Sequence, residues 1–217
     1  MSNVFQDVKR RDLESLTREM LHVGRGFQSS VRLIERDGQF AAVKDYINSP
    51  RWFRFVVAPF LLNREERALR VLEQTRGVPR VYARVDRHAL AMEYLEGTPL
   101  DRFSVGELAP EVFANAQRTI DAIHARGVSH CDLKRRSNLL LAPDNEVFII
   151  DFAAAIIGRR PLRPIMNWLQ RETEKVDNKS VPRLKKFVAP ELLTEDDKHK
   201  LATPTTLERW ARKLFNR

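Results

Sequence analysis

His130-Cys131-Asp132-Leu133-Lys134-Arg135-Arg136-Ser137-Asn138 is followed at once by Leu139-Leu140-Leu141 and, one loop later, by Val147-Phe148-Ile149-Ile150-Asp151-Phe152. The two apolar runs flank Ala142-Pro143-Asp144-Asn145-Glu146, a cluster of turn formers, and so read as the strands of a buried hairpin. A hairpin brings its outer ends together. Asn138, at the start of the first strand, and Asp151, at the end of the second, therefore become neighbours, while Asp132 lies on the loop that leads in. Two carboxylates and a carboxamide make a hard, oxygen-rich site, the kind that Mg²⁺ prefers when substrate phosphates supply the remaining ligands. One group to orient an attacking hydroxyl and others to hold the metal is the arrangement that phosphate transfer needs.

In their order these residues resemble the protein-kinase superfamily, in which a catalytic loop written H-R-D-L-K-x-x-N precedes a β-hairpin and D-F-G. The resemblance implies ATP and Mg²⁺ as cofactors, Asp132 as base or orienter, Lys134 on the transferring phosphate, and Asn138 and Asp151 as metal ligands. Two departures bear on it. Five residues, Leu133 to Ser137, separate Asp132 from Asn138, one more than the family has, so the loop bulges and Ser137 competes for the metal role. The third residue of D-F-G is Ala153, which keeps the metal aspartate but removes a flexible hinge.

Upstream, Gly24-Arg25-Gly26-Phe27-Gln28-Ser29-Ser30-Val31 resembles the glycine-rich loop G-x-G-x-x-G-x-V with Ser29 at the third glycine. Glycines there let backbone N–H groups approach phosphates closely. Asp37-Gly38 reads as a hairpin turn, and the strand Phe40 to Tyr46 puts Lys44 at the lysine of V-A-I-K, the implied α/β-phosphate ligand. The run Arg64 to Leu72 is helical, with Leu62, Leu69 and Leu72 on one stripe. The resemblance sets Glu65 against Lys44; Glu66 is the alternative, as is a reading in which both glutamates are solvated partners of Arg64 and Arg70. Val78 to Val85 and Ala89 to Leu95 read as strands around Asp86-Arg87-His88. Met92-Glu93-Tyr94-Leu95-Glu96-Gly97 resembles the hinge between kinase lobes, which implies Met92 beside the adenine pocket and backbone groups of Glu93 and Leu95 on the adenine edge. Helical spacing is expected over Asp12 to His22, and again over Val105 to Ala125 with a C-cap at Arg126-Gly127.

The resemblance implies an α+β, two-lobed protein-kinase-like fold with a shortened C-terminal lobe, in one domain over 1–217 (N-lobe about 12–95, hinge about 93–98, C-lobe about 99–217). Beyond Asp151 the chain carries helical patterns over Ile165 to Glu174, Lys179 to Val188 and Thr206 to Phe215, and Ala189-Pro190-Glu191 reads as a helix start with Pro at its first turn. Little room remains there for a long activation segment, so small bacterial kinase-like families, the lipopolysaccharide-core kinases and RIO-like serine/threonine kinases, are the relatives implied. The expected function is ATP-dependent transfer to a hydroxyl of a protein Ser/Thr or a lipid-linked glycan. The alternative is a nucleotide-binding pseudokinase that serves as regulator or scaffold, a reading that Ser29, Ala153 and the longer loop favour.

Composition narrows partners more than chemistry. A hydrophobic content of 43% over 217 residues suffices for a real core. The formal net charge of +9 asks for an anionic partner. Nucleic acid is suggested by charge alone and is not the expected one. Arg51-Trp52-Phe53-Arg54-Phe55 interleaves basic and aromatic residues, a pattern that fits either a buried helix entry or peripheral contact with an anionic membrane surface. The single cysteine, Cys131, fits a reducing cytoplasm. No signal-peptide core precedes Lys9-Arg10-Arg11, and no run approaches the roughly 18 apolar residues of a spanning helix.

Overall fold

Contacts along the chain divide it into two units, Met1–Gln74 with Pro79–Leu95, and Thr75–Val78 with Glu96–Arg217. The structure is a computed structural model that describes residues 3–158, 164–206 and 208–209.

The N-terminal unit is an antiparallel sheet. Its elements are α1 (Leu13–Leu16), β1 (Thr17–His22), β2 (Ser30–Arg36), β3 (Gln39–Asp45), α2 (Arg51–Val56), α3 (Ala58–Val71), β4 (Val81–Asp86) and β5 (Ala89–Glu93). The strand order is β1-β2-β3-β5-β4. The β2–β3 turn is Asp37-Gly38, with φ of 52° and 71°. Two positive φ values in a two-residue loop give the twist that flanking strands need. They fix a register that sets Val31 opposite Lys44. Alternation along β3 then separates two faces. Ala41 and Val43 join Ile34, Ala83, Val85, Ala89 and Ala91 in a core that also takes in Phe5, Val8 and Leu13. Lys44 faces the other way, toward α3.

Two expectations fail here. The N-terminal lobe was expected to begin near residue 12, yet Phe5 and Val8 are fully buried in its core, and Arg10 is bonded to Asp45 and Asp86. The helix expected over Asp12 to His22 stops at Leu16, and its second half is strand β1 on the sheet edge, with Met20 opposite Arg32. Of Leu13, Leu16, Met20 and Leu21, which carry the helical spacing, only Leu13 is buried, whereas pairing with β2 satisfies the main chain of Thr17–His22. Ladder pairing overrides a short periodic signal of this kind.

The C-terminal unit contains β6 (Thr98–Pro99), α4 (Pro110–Ala125), β7 (Val128–Ser129), β8 (Leu139–Leu141), β9 (Val147–Ile149), β10 (Ile156–Ile157), α5 (Pro164–Asp177), α6 (Ser180–Val188) and α7 (Glu195–Ala202). A three-stranded sheet runs β6-β8-β9, and β10 pairs with β7. Val112, Phe113, Ala116, Ile120 and Ile123 form the buried face of α4, and Thr119 on that face donates to the Val147 carbonyl at 2.9 Å. Thr75–Val78 belongs to this unit because the Ile149 N–H donates to the Gly77 carbonyl at 2.8 Å.

α4 begins at Pro110, five residues later than the expected start at Val105. Gly106 at φ 83° breaks the helical path, and Pro110 has no N–H that the first turn would miss. The helix start expected at Ala189-Pro190-Glu191 is a three-residue 3-10 turn, Pro190–Leu192. The next true helix is α7, where Thr194 accepts from the Asp197 N–H at 3.1 Å and the Asp197 carboxylate returns to the Thr194 N–H, a capping box. The helix expected over Thr206 to Phe215 lies almost wholly outside the described residues.

Candidate functional site

In the C-terminal unit, β8 and β9 pair as a hairpin with Leu139 opposite Ile149. At its open end the Ile150 N–H donates to the Asn138 carbonyl at 3.0 Å, which sets Asn138 beside the strand that ends in Asp151. The extra loop residue is taken up by a 3-10 turn over Arg136–Asn138. That turn leaves Ser137 exposed and buries Asn138, whose Nδ2 donates to the Asp132 carbonyl at 3.0 Å. With Nδ2 committed, Oδ1 is the carboxamide atom left to meet a cation. The Asp132 carboxylate is half-buried and pairs with Arg135 Nε at 3.2 Å; Lys134 is exposed on the same loop.

Cys131 and Asp151 both have left-handed backbone, with φ of 71° and 67°. Such residues cost on the order of 1–3 kcal/mol each and persist where the surroundings over-determine them. The surroundings here are two buried side chains. His130 is fully buried, accepts the Asp132 N–H at Nδ1 (3.2 Å) and donates from Nε2 to the Ile150 carbonyl (2.9 Å), so it is the neutral Nε2–H tautomer. Its ring meets Phe152 edge-on at 4.7 Å. One imidazole thus spans the loop that carries Asp132 and the strand end that carries Asp151.

The second side chain is Asp177, at the end of α5. Its carboxylate accepts the His130 N–H at 2.6 Å and the Cys131 N–H at 2.9 Å, with His124 Nε2 at 3.3 Å. Asp177 escaped the reading of the sequence because its partners lie far from it along the chain. A signal was present: Gln170, Thr173 and Asp177 recur at helical spacing and are all buried, a polar stripe inside a helix.

Burial pushes the His130 pKa below its usual 6.5, against the pull of the nearby Asp177. A histidine held neutral in the fold gains a proton on unfolding below about pH 6.5, so stability falls as pH drops through that value. His88 is pushed the same way by its own burial. The contribution of His130 is therefore isolated by comparing His130→Gln with the wild type. Thermal melts between pH 5 and 7 should show a shallower slope in the variant, by at most about 1.4 kcal/mol per pH unit. Identical slopes would mean that His130 titrates normally.

In the N-terminal unit, Lys44 is buried and its Nζ lies 2.9 Å from a Glu65 carboxylate oxygen. Glu65 falls on the buried stripe of α3 with Leu62 and Leu69. Glu66 is turned away and binds Arg70 at 2.8 Å and Arg84 at 3.1 Å. Gly24 opens the β1–β2 loop, where an added Cβ would stand 2.4 Å from the Gln28 carbonyl oxygen, so no side chain fits the chain's close return. Gly26 has φ 60° in open space. Met92 is buried on β5; the Glu93 N–H donates to the Arg80 carbonyl at 2.8 Å and its carboxylate holds the Arg80 guanidinium. Leu95 is half-buried just beyond β5.

Among the described residues no three His, Cys, Asp or Glu side chains cluster closely enough to hold a metal ion. Carboxamide and carboxylate oxygens, the types that Asn138 and Asp151 carry, are donors that Mg²⁺ takes when phosphate oxygens and water fill its remaining positions.

Comparison with known proteins bears on what this assembly is. The Rio2 kinase of Chaetomium thermophilum has a solved structure to which this chain is similar, at a TM-score of 0.60 and 15% identity, over 94% of this chain and 65% of that one. At that identity the likeness is one of fold, and the chain spans about two thirds of the length of the protein it matches. No curated protein matches it. The sequence itself, however, fits the protein kinase domain from residue 18 to residue 206, and a match over that much of its length makes the chain a member of the protein kinase family.

Proposed function

We propose that the chain transfers the γ-phosphoryl group of ATP to a hydroxyl. Asp132 orients the acceptor hydroxyl, Lys134 meets the transferring phosphoryl group, and Asn138 and Asp151 are the Mg²⁺ ligands. Lys44, held by Glu65, takes the α- and β-phosphates; Gly24, Gly26 and Val31 lie along them. Met92 borders the adenine, whose edge meets the Glu93 carbonyl and the Leu95 main chain. What carries the reading is the convergence of Asn138, Asp132 and the strand end at Asp151, tied by two hydrogen bonds of 3.0 Å. Bound Mg²⁺ would neutralise charge on the phosphate oxygens. The acceptor is a protein Ser/Thr or a lipid-linked glycan, and the single Cys131 supports a cytoplasmic setting.

A second reading, a nucleotide-binding regulator without transfer, is favoured by Ser29, Ala153 and the added residue in the catalytic loop. One experiment separates the two. Kinases switched by loop phosphorylation use an Arg before the catalytic Asp to hold the new phosphate, and Cys131 at that position has no charge to offer. Phosphatase-treated protein, incubated with Mg²⁺ and γ-labelled ATP, should keep its full rate of label transfer to a soluble-protein or a membrane-glycolipid fraction. Nucleotide binding with no transfer to either fraction would establish the regulator, and a large loss on phosphatase treatment would refute the unswitched site.

A further inference from the structure

α2 and α3 run almost end to end, joined at Val57, which is itself helical (φ −91°, ψ −46°). Along them Trp52, Val56 and Phe60 recur at every fourth residue and are 59, 70 and 61% exposed. Residues four apart share a helix face, so the three form an apolar ridge turned away from the buried Ala58, Leu62, Glu65 and Leu69. The aromatic residues divide: Phe53 is buried against Phe27 and Tyr46, as a plain helix entry would have it, while its neighbours remain outside. Phe27 extends the ridge, 55% exposed and edge-on to Trp52 at 5.4 Å.

The rim of the ridge is basic. Arg51 and Arg87 are exposed, Arg51 one residue before Trp52 and Arg87 over the Phe55 ring at 5.2 Å; Arg54 covers that ring at 4.9 Å but turns in to donate to the Ile47 carbonyl at 2.7 Å. No Asp or Glu occurs between Asp45 and Glu65. A contiguous exposed apolar strip, on a segment that carries arginines and no carboxylate, marks an interaction surface whose partner is apolar inside and anionic outside.

We propose that this face docks on an anionic phospholipid bilayer, with Trp52, Val56 and Phe60 in the boundary between headgroups and acyl chains and with the exposed Arg51 and Arg87 on headgroup phosphates. Single-stranded nucleic acid, the other polyanion with apolar faces, fits less well. It stacks bases on open ring faces, whereas Phe55 is already covered by two guanidinium groups and Val56 has no ring. Exposed arginines next to exposed aromatic and aliphatic side chains are the composition of an interfacial anchor. The surface lies wholly within the N-terminal unit and owes nothing to whether the chain transfers phosphate.

The test is sedimentation of the full chain with vesicles of phosphatidylcholine alone and of phosphatidylcholine with about 30% phosphatidylglycerol, enough to set a negative surface potential. Binding is expected only to the anionic vesicles and should weaken as salt is raised. Arg87→Gln should lower it about fivefold. Val56→Glu and Phe60→Glu should each lower it at least about tenfold. A melting temperature like that of the wild type certifies that both variants fold. In a Trp168→Phe/Trp210→Phe chain, Trp52 emission should shift to the blue on anionic vesicles and not with free phosphate. Equal binding to neutral vesicles would overturn the proposal, as would undiminished binding by Val56→Glu. So would binding of a single-stranded RNA oligonucleotide in place of vesicles, or a dimer in solution that Phe60→Glu dissolves.

Discussion

Asp151→Ala should remove Mg²⁺-dependent turnover of ATP, by a factor on the order of 10³ or more, the usual scale for losing a group that manages phosphate charge in a transition state. Asp151 lies two residues beyond β9 in a left-handed conformation, next to the Ile150 N–H that donates to the Asn138 carbonyl, so on the proposed reading the variant loses a metal ligand without loss of a core side chain. Asp132→Asn should behave differently. Its hydrogen bond from Asn138 is to the main-chain carbonyl and survives, so the loop stays in place and nucleotide binding is largely kept while transfer is lost. Radiolabelled transfer and nucleotide titration, run on both variants, read these effects apart. Unchanged turnover in either would end the phosphotransfer reading.

Asp177→Ala should cost the most stability of any single polar change in the C-terminal unit. Its carboxylate is buried and accepts two main-chain N–H groups, those of His130 and Cys131. Each orphaned buried donor costs about 1–3 kcal/mol, so about 2–6 kcal/mol is expected in all. At about 2–4 °C per kcal/mol for a chain of this size, the melting temperature should fall by about 5 °C or more. Because those N–H groups set the strained Cys131 beside Asp132, turnover should fall too, even below the melting range. Asp177→Asn keeps one acceptor oxygen and should recover part of both losses. A variant Asp177→Ala that melts and turns over like the wild type would mean that the catalytic loop is held by His130 alone.

Much of this was already legible in local sequence, for definite reasons. The hairpin that joins Asn138 to Asp151 is set by two apolar runs around a turn, all within a short stretch. The β2–β3 turn at Asp37-Gly38 demands residues that tolerate positive φ, and with it the register of Lys44 is fixed. The choice of Glu65 over Glu66 came from the resemblance, since both stand three or four residues from Leu62 and Leu69, and it is packing that buries Glu65.

What tertiary structure alone decided are the features whose partners are distant in the chain. Residues 17–22 carry helical spacing but become a strand because an unpaired edge of β2 lies beside them. Phe5 and Val8 count as core only because the sheet offers them a face. Ser137 competed with Asn138 for the inward position, and it is a 3-10 turn over Arg136–Asn138 that leaves Asn138 the buried one. Asp177, the anchor of the loop, meets its donors across dozens of residues, and no local pattern reports a contact of that length. Periodicity and turn chemistry are short-range and can be read along the chain, whereas the satisfaction of buried polar groups is a property of the packed whole.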